Sequence, residues 1–115
     1  MTLYKWEQLP SEQLNPQMVR KVVHTGQMTI ARLNIQKGAV VPEHAHINEQ
    51  VATVEGGALK FHIGGKDVVV NAGESLVIPP NVPHGVIALE DVVVTDVFTP
   101  RRDDWIAGDD SYLRK

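Results

Sequence analysis

The stretch ALKFHIGGKDVVVNAGESLVIPP, residues 58–80, decides the fold class of this chain. Its first part, 58–63, alternates between apolar and polar side chains, as a half-buried strand does. Gly64-Gly65 then predicts a tight hairpin, because both residues can take a positive φ without steric cost. Two further apolar runs follow, and Pro79-Pro80 ends the second of them. The stretch therefore predicts consecutive strands rather than helices.

The same alternation of short apolar segments and turn residues continues on both sides of this stretch. Val-rich segments are separated by Gly and Pro at a spacing of roughly 8–12 residues, which is typical of a sandwich or a small barrel. We therefore predict an all-β fold. The other predicted strands cover residues 21–24, 27–36, two segments within 40–54 that part near 47–49, 84–89 and 92–98.

The length of 115 residues predicts one domain over 1–115. Residues 1–20 are expected to form an N-terminal arm, with a short helix-compatible stretch at 11–14 and with Trp6 as a packing residue. The tail at 100–115 is polar overall, but its apolar side chains predict that it packs on the barrel. These side chains are Trp105, Ile106, Tyr112 and Leu113.

Composition excludes several classes of function. A net charge of −3 without a clustered basic face argues against a nucleic-acid partner. No apolar run approaches the ~20 residues of a membrane span, and the N-terminus lacks the apolar core of a signal peptide. We therefore expect a cytoplasmic protein without a membrane partner. Because the chain has no Cys, any metal site must use His, carboxylate or amide ligands.

Three histidines form the candidate metal site. His44 and His46 are two apart in a segment predicted to be a strand, so their side chains point to one face. Gln50 is in phase with them if the strand continues, and a small closed barrel can bring His84 opposite. Three nitrogens and one oxygen suit a divalent transition metal with open positions. The competing interpretation is two surface histidines and one histidine at the end of a strand.

The other polar candidates are assigned by strand phase. His62 alternates with Phe61, so it faces outward if Phe61 faces the core, and neither His62 nor His24 is expected to be a ligand. Arg32 alternates with Ala31, and the pattern leaves open which of the two faces is inward. An inward Arg32 would offer a clamp for a carboxylate.

Two longer patterns carry a family resemblance. The segment GAVVPEHAHINEQVATVEG at 38–56 resembles the first motif of the cupins, and GESLVIPPNVPH at 73–84 resembles the second. The resemblance extends over about 28–98. It implies the cupin double-stranded β-helix, a jelly-roll barrel, with one divalent transition metal inside. Zn, Ni, Mn, Co and Fe are not distinguished by sequence.

The match departs from the cupin pattern at two positions. The usual third ligand is a Glu, and here both Glu49 and Gln50 are available. Strand phase favours Gln50, whereas a β-bulge would bring Glu49 inward instead. An amide ligand leaves the metal more positive and a stronger Lewis acid toward an anionic substrate. Asn81 replaces a usual Gly, and Asn also tolerates turn conformations.

A narrower resemblance comes from HAHINEQ at 44–50, DVFTPRRDDW at 96–105 and GDDSYL at 108–113. These segments look like the pectin-degradation cupins of the KdgF type. That family opens the ring of 4,5-unsaturated uronates, released by pectin or alginate lyases, to linear 4-deoxy-5-keto uronates. The resemblance implies metal ligands at His44, His46, Gln50 and His84, and pocket residues at Asp96, Phe98 and Arg102.

The implied pocket residues also make chemical sense. Asp96 and Phe98 share a strand face, and Arg102 lies in a loop that can turn back over the mouth of the barrel. Asp96 offers a general acid and base, Phe98 an apolar ring for a sugar face, and Arg102 a two-pronged match for a carboxylate. In the competing interpretations, Asp96 is a turn or salt-bridge residue, Phe98 is a core residue, and Arg102 pairs at the surface with Asp103 or Asp104. Arg101 is the arginine expected at the surface.

Three other interpretations of function accompany this one. The three-histidine site also fits an iron-dependent oxygenase, or a lyase acting on another small carboxylate such as a sulfonium acid. A sugar-binding cupin without catalysis is the third. The expected small-molecule partner is a uronate. A second copy of the chain is also expected, because an open sheet edge needs cover, and this predicts a homodimer.

Overall fold

Ten strands build this protein in a computed structural model that describes residues 1–115. The all-β prediction is confirmed. The strands are β1 (Glu12–Asn15), β2 (Met18–His24), β3 (Thr29–Ile35), β4 (Val40–His44), β5 (Glu49–Gly56), β6 (Ala58–Ile63), β7 (Lys66–Asn71), β8 (Ser75–Ile78), β9 (His84–Ala88) and β10 (Val92–Thr99). A one-turn helix, α1 (Asp103–Ile106), and 3₁₀ turns at Trp6–Gln8 and Ser111–Leu113 complete the chain.

Two antiparallel sheets face each other and form the predicted jelly-roll barrel. The larger sheet has the strand order β1-β2-β3-β10-β5-β8, and the smaller has the order β4-β9-β6-β7. Strands that are distant in sequence are therefore neighbours, as β3 and β10 are. The apolar core fills the space between the sheets, because alternate residues of each strand point inward.

The phase of β3 settles the direction of Arg32. Ala31 and Leu33 are buried in the core, so Arg32 points out from the larger sheet. Its guanidinium lies 5.0 Å from the centre of the Trp6 ring and 3.8 Å from the carboxylate of Glu55. Arg32 is thus no part of the barrel interior, and Trp6 packs on the outer face of the sheet.

The turns follow local chemistry. Gly64 and Gly65 have φ values of 58° and 75° between β6 and β7, so the predicted hairpin is formed. Asn81, where cupins usually have Gly, has a φ of 65°. Asn tolerates this left-handed conformation better than most residues, which explains why the exchange is compatible with the turn.

The arm differs from its prediction. The helical interpretation of residues 11–14 was wrong, because residues 12–15 form the strand β1. This strand pairs antiparallel with β2, and Pro16 lies in the turn between them. Backbone pairing with β2 and burial of Leu14 outweigh the weak helix propensity of such a short segment. The first part of β2, from Met18, also extends the strand that was predicted to begin at residue 21.

The tail folds back onto the barrel. Trp105 and Leu113 are buried and belong to the core, whereas Tyr112 is partly buried against it. Ile106 is 53% exposed, so its predicted packing is wrong. With only one turn, α1 turns a single buried side chain, Trp105, toward the barrel. No helix in the structure has the length and apolar character that crossing a membrane requires.

Candidate active site

Three imidazoles meet at one end of the barrel interior. His44 ends β4 and His84 begins β9, and the two residues are direct partners in the antiparallel register. His46 follows in the loop before β5. Ring nitrogens of the three side chains all lie within 4.8 Å of one another. The structure therefore brings together the histidines that the sequence had separated.

Each ring is oriented by a backbone carbonyl. The Nδ1 atoms of His44, His46 and His84 lie 2.8, 3.0 and 2.8 Å from the carbonyl oxygens of Pro42, Asn48 and Val82, respectively. Because a carbonyl only accepts hydrogen bonds, each Nδ1 must carry the hydrogen and donate it. In a neutral ring the lone pair is then on Nε2, which is the arrangement that metal-binding histidines usually have.

Gln50 joins the histidines from β5. Its side chain points inward and is 7% exposed, whereas Glu49 is exposed on the outside of the strand. The Oε1 atom of Gln50 lies 3.1 Å from Nε2 of His46. Strand phase therefore places the amide, not the neighbouring carboxylate, beside the imidazoles, and no bulge reverses it.

Two features of this group fit a bound metal ion. Nε2 of His84 is buried and has no hydrogen-bond partner. Nε2 of His46 and Oε1 of Gln50 are both acceptors when Nδ1 of His46 donates to Asn48, so at 3.1 Å they repel unless a cation lies between them. A divalent transition metal satisfies all of these atoms at once, and the His44, His46 and His84 group can hold one.

Burial keeps these rings neutral. It lowers the pKa of His44 to about 4, and the nearby charges of His84, His46 and Arg102 act in the same direction, against a backbone hydrogen bond that raises it. Burial also lowers the pKa values of His46 and His84. Neutral imidazole is the form that binds a metal, so the environment favours metal binding near neutral pH.

Asp96 lies next to this group on β10. The Nε2 atom of Gln50 donates a hydrogen bond of 3.1 Å to its Oδ1. Burial raises the pKa of Asp96 to about 7, although the hydrogen bond from Gln50 and the charge of Arg102 oppose the rise. Both protonation states of this carboxyl group are therefore populated near neutral pH, which suits a residue that takes and returns a proton.

Phe98 belongs to the apolar core and also lines the pocket. It is 2% exposed, and its ring meets those of His46 and Trp105 edge to face, with centroids 5.6 and 5.0 Å away. The guanidinium of Arg102 lies 4.7 Å from its ring centre. The core and pocket interpretations of Phe98 are therefore compatible, because one residue fulfils both.

Arg102 is buried, not exposed on a loop. Its exposed fraction is 1%, and its Nε and Nη2 atoms donate to the two carboxylate oxygens of Asp104. The pairing with Asp104 was foreseen, but as a surface pair. Since this edge of the guanidinium is occupied, the expected two-pronged contact with a substrate is not available there, and Nη1 alone makes no hydrogen bond within the chain. The neighbouring Arg101 is the surface arginine, paired with Asp103.

Sequence reasoning missed the part that the tail contributes. The hydroxyl of Tyr112 accepts hydrogen bonds from Arg102 and Trp105. The guanidinium groups of Arg20 and Arg102 lie 4.4 and 4.2 Å from the centre of the Trp105 ring. The apolar residues of the tail indicated packing but not this contact with the site. Asn48, which is buried, donates to the backbone carbonyl of Pro100 and so fixes the loop that leads to Arg102.

The pocket between these groups encloses about 60 Å³. Apolar core side chains, among them Leu33, Leu59 and Val94, form part of its lining. The polar and aromatic residues that line it are His44, Gln50, Phe61, His84, Asp96, Phe98, Arg102, Trp105 and Tyr112. The site therefore combines a potential metal ligand set, a carboxyl group and a cation in one small space.

Comparisons with known proteins agree with this architecture. The cupin domain family matches residues 31–98. The pectin degradation protein KdgF of Dickeya dadantii (strain 3937) is 29% identical over 103 residues, which cover 87% of this chain and 94% of that protein. The structure of KdgF from Halomonas sp. is 30% identical, with a TM-score of 0.83 over 90% of this chain and 99% of its own.

A third relative is an RmlC-like cupin from Shewanella frigidimarina, which is 27% identical with a TM-score of 0.85. The alignment covers 91% of this chain and 96% of that one. Family, fold and length therefore agree over nearly the whole molecule. The chain belongs to the cupin family, and within that family it is a KdgF-like cupin.

Proposed function

We propose that this cupin is a metal-dependent enzyme that converts 4,5-unsaturated uronates from pectin or alginate breakdown to linear 4-deoxy-5-keto uronates. The observation that carries the proposal is the position of Asp96, whose carboxyl group lies within hydrogen-bond distance of the Gln50 amide beside the three imidazoles. Similarity to KdgF, which is named as a pectin degradation protein, supports the substrate class.

His44, His46, Gln50 and His84 would hold one divalent transition metal. When bound, such an ion supplies positive charge that stabilises negative charge developing on a substrate oxygen. Since the amide of Gln50 is neutral, the ligand set carries no negative charge to offset that of the metal. Which of Zn, Ni, Mn, Co and Fe is used depends on geometry and availability.

Arg102 binds the carboxylate of the uronate. Its Nη1 atom is the one guanidinium nitrogen without a hydrogen bond, and Asp104 holds the opposite edge in place. We place the sugar ring across the mouth of the barrel, with its reacting edge inward and an apolar C–H face toward Phe98.

Asp96 moves the proton that the reaction needs. As a carboxylate it takes the proton of the anomeric hydroxyl, while the bond between C1 and the ring oxygen breaks and its electron pair goes to that oxygen. The resulting enolate then takes a proton from Asp96 at C4, which yields the 5-keto group and restores the carboxylate. Substrate and product are isomers, so no further reactant is required.

The experiment that tests the proposal is a time-resolved proton NMR assay with freshly made 4,5-unsaturated galacturonate. Metal-loaded protein should remove the vinyl proton signal well above the spontaneous rate, and both metal-stripped protein and the Asp96→Asn variant should be slower. No acceleration with any of several divalent metals contradicts the proposal. Oxygen uptake with iron would then identify an oxygenase, and binding of the sugar without turnover would identify a sugar-binding cupin.

We also propose that two copies pair through sheet edges. The edge strands β4, β7 and β8 each expose a valine, with Val40, Val69 and Val77 at 59%, 46% and 57% exposure. Unpaired edges with apolar side chains favour association with another strand. Small-angle scattering should give the mass of a dimer, and a single species of monomer mass contradicts this pairing.

A further inference from the structure

Tyr112 borders the pocket from the side of the C-terminal tail, and its neighbours define the direction of its hydroxyl group. The oxygen lies 2.8 Å from Nη2 of Arg102 and 3.2 Å from Nε1 of Trp105. Guanidinium and indole N–H groups are donors only, so the oxygen accepts both hydrogen bonds with its two lone pairs. Its own proton has no acceptor in the chain and remains available to a group in the pocket.

The hydroxyl is held in place before any ligand arrives. The Tyr112 ring stacks on His44, with centroids 4.4 Å apart and planes at 28°. Before Tyr112 in the chain, Asp110 is buried and accepts a 2.8 Å hydrogen bond from Arg20. Directly after it, the backbone carbonyl of Leu113 accepts a 2.9 Å hydrogen bond from Asn15. Both flanks of the residue are therefore anchored to β1 and β2, and fixed donors of this kind are the most effective ones in catalysis.

The geometry of the substrate identifies the atom that this hydroxyl meets. In a 4,5-unsaturated uronate, the ring oxygen and the carboxylate are attached to the same carbon. If the carboxylate binds Nη1 of Arg102, as proposed above, the ring oxygen comes close to the group that contacts the same guanidinium through Nη2, which is the Tyr112 hydroxyl.

We infer that Tyr112 is a catalytic residue that donates a hydrogen bond to the ring oxygen of the bound uronate. This inference rests on the proposed ring-opening function. The hydrogen bond strengthens as the bond between C1 and the ring oxygen breaks, because that oxygen then gains negative charge. The Tyr112 proton stays on the phenol, so the proton balance with Asp96 is unchanged.

Tyr112→Phe tests this assignment, because Phe keeps the ring that stacks on His44 and removes only the hydroxyl. We expect kcat for vinyl-proton loss to fall by about 10- to 100-fold, since a transition-state hydrogen bond is lost. KM should change by less than about threefold, because Arg102 still binds the carboxylate. Metal content should equal that of the wild type. Tyr4→Phe, in the exposed arm, is the matched control and should leave kcat unchanged.

The outcomes separate this inference from the function on which it rests. A wild-type protein without ring-opening activity overturns both. An active wild type with an equally active Tyr112→Phe variant overturns only the role of Tyr112. A loss of activity that parallels a loss of metal or of folded protein assigns Tyr112 a packing role and also overturns it.

A fluorine NMR measurement gives a second readout that does not depend on a variant. The chain has two tyrosines, so labelling with 3-fluorotyrosine gives one signal for Tyr112 and one for Tyr4 as an internal reference. While the metal-loaded enzyme turns over excess unsaturated galacturonate, the Tyr112 signal should shift and the Tyr4 signal should not. A spectrum that stays unchanged during turnover contradicts contact with the substrate.

Discussion

The two ends of the barrel interior are built from the same strands but differ in chemistry. On β5 and β10, the inward positions at one end hold Gln50 and Asp96, and those at the other end hold Val54 and Val94. Val54 and Val94 are cross-strand partners in the antiparallel register. We refer to the two regions as the site end and the apolar end.

The difference shows how one small barrel separates stability from chemistry. At the apolar end, Val54 and Val94 are 0% and 2% exposed, and Val54, which does not line the pocket, contributes by burial alone. At the site end, the Gln50 amide donates a hydrogen bond to Asp96 and turns its oxygen toward Nε2 of His46, and burial shifts the pKa values of His46 and Asp96. Substitutions at the site end should therefore affect metal binding and activity, and substitutions at the apolar end should affect the free energy of unfolding.

The largest effect is expected from His84→Ala. It removes one of the three imidazoles, so metal affinity should fall by more than about 100-fold, beyond the loss usual for a residue that only supports a ligand. Activity should fall with it. Metal titration by calorimetry measures the change, with His62→Ala as the control, since His62 is exposed and pairs with Asp67. Equal metal affinity in the two variants would remove His84 from the ligand set.

Asp96→Asn should reduce activity by about 100- to 10,000-fold, the range usual for loss of a general acid or base. Asn keeps the shape of the side chain, so metal content should stay at the wild-type level. The NMR assay combined with metal analysis measures both quantities. An active Asp96→Asn enzyme would show that the proton is carried by another group.

At the apolar end, Val54→Ala should lower the free energy of unfolding by about 2 kcal/mol, because it leaves a cavity in the closed core. Activity per folded molecule should not change. Val93→Ala, on the neighbouring strand β10, is the control, since Val93 is 39% exposed. Urea unfolding measures the difference, and a loss of activity without a loss of stability would contradict the separation of the two ends.

The smallest effect concerns pH. The pKa of Asp96 is raised from 3.8 to about 7, so its protonated form favours the folded state below pH 4 and this stabilisation is lost as pH rises through about 7. Metal-free wild type should therefore lose about 1–2 kcal/mol relative to Asp96→Asn between pH 5 and pH 6.5. Urea unfolding at both pH values tests this, and a constant difference would mean that the carboxyl group titrates normally.

Features that depend only on residues adjacent in the chain could be predicted from the sequence. Alternation placed Gln50 inward and Glu49 outward, and Gly64-Gly65 specified a hairpin, because the side-chain period of a strand and the φ of a turn are local properties. The resemblance to two cupin motifs added the jelly-roll barrel and the association of His44, His46 and His84.

Other features were decided only when distant segments met. The outward direction of Arg32 depends on which face of β3 is covered by the other sheet, and the strand at 12–15 exists because β2 pairs with it. Burial of Arg102 against Asp104, and the position of the Tyr112 hydroxyl between Arg102 and Trp105, require the tail to fold back over the barrel. Local periodicity contains no information about such contacts, because they are fixed by packing between residues far apart in the chain.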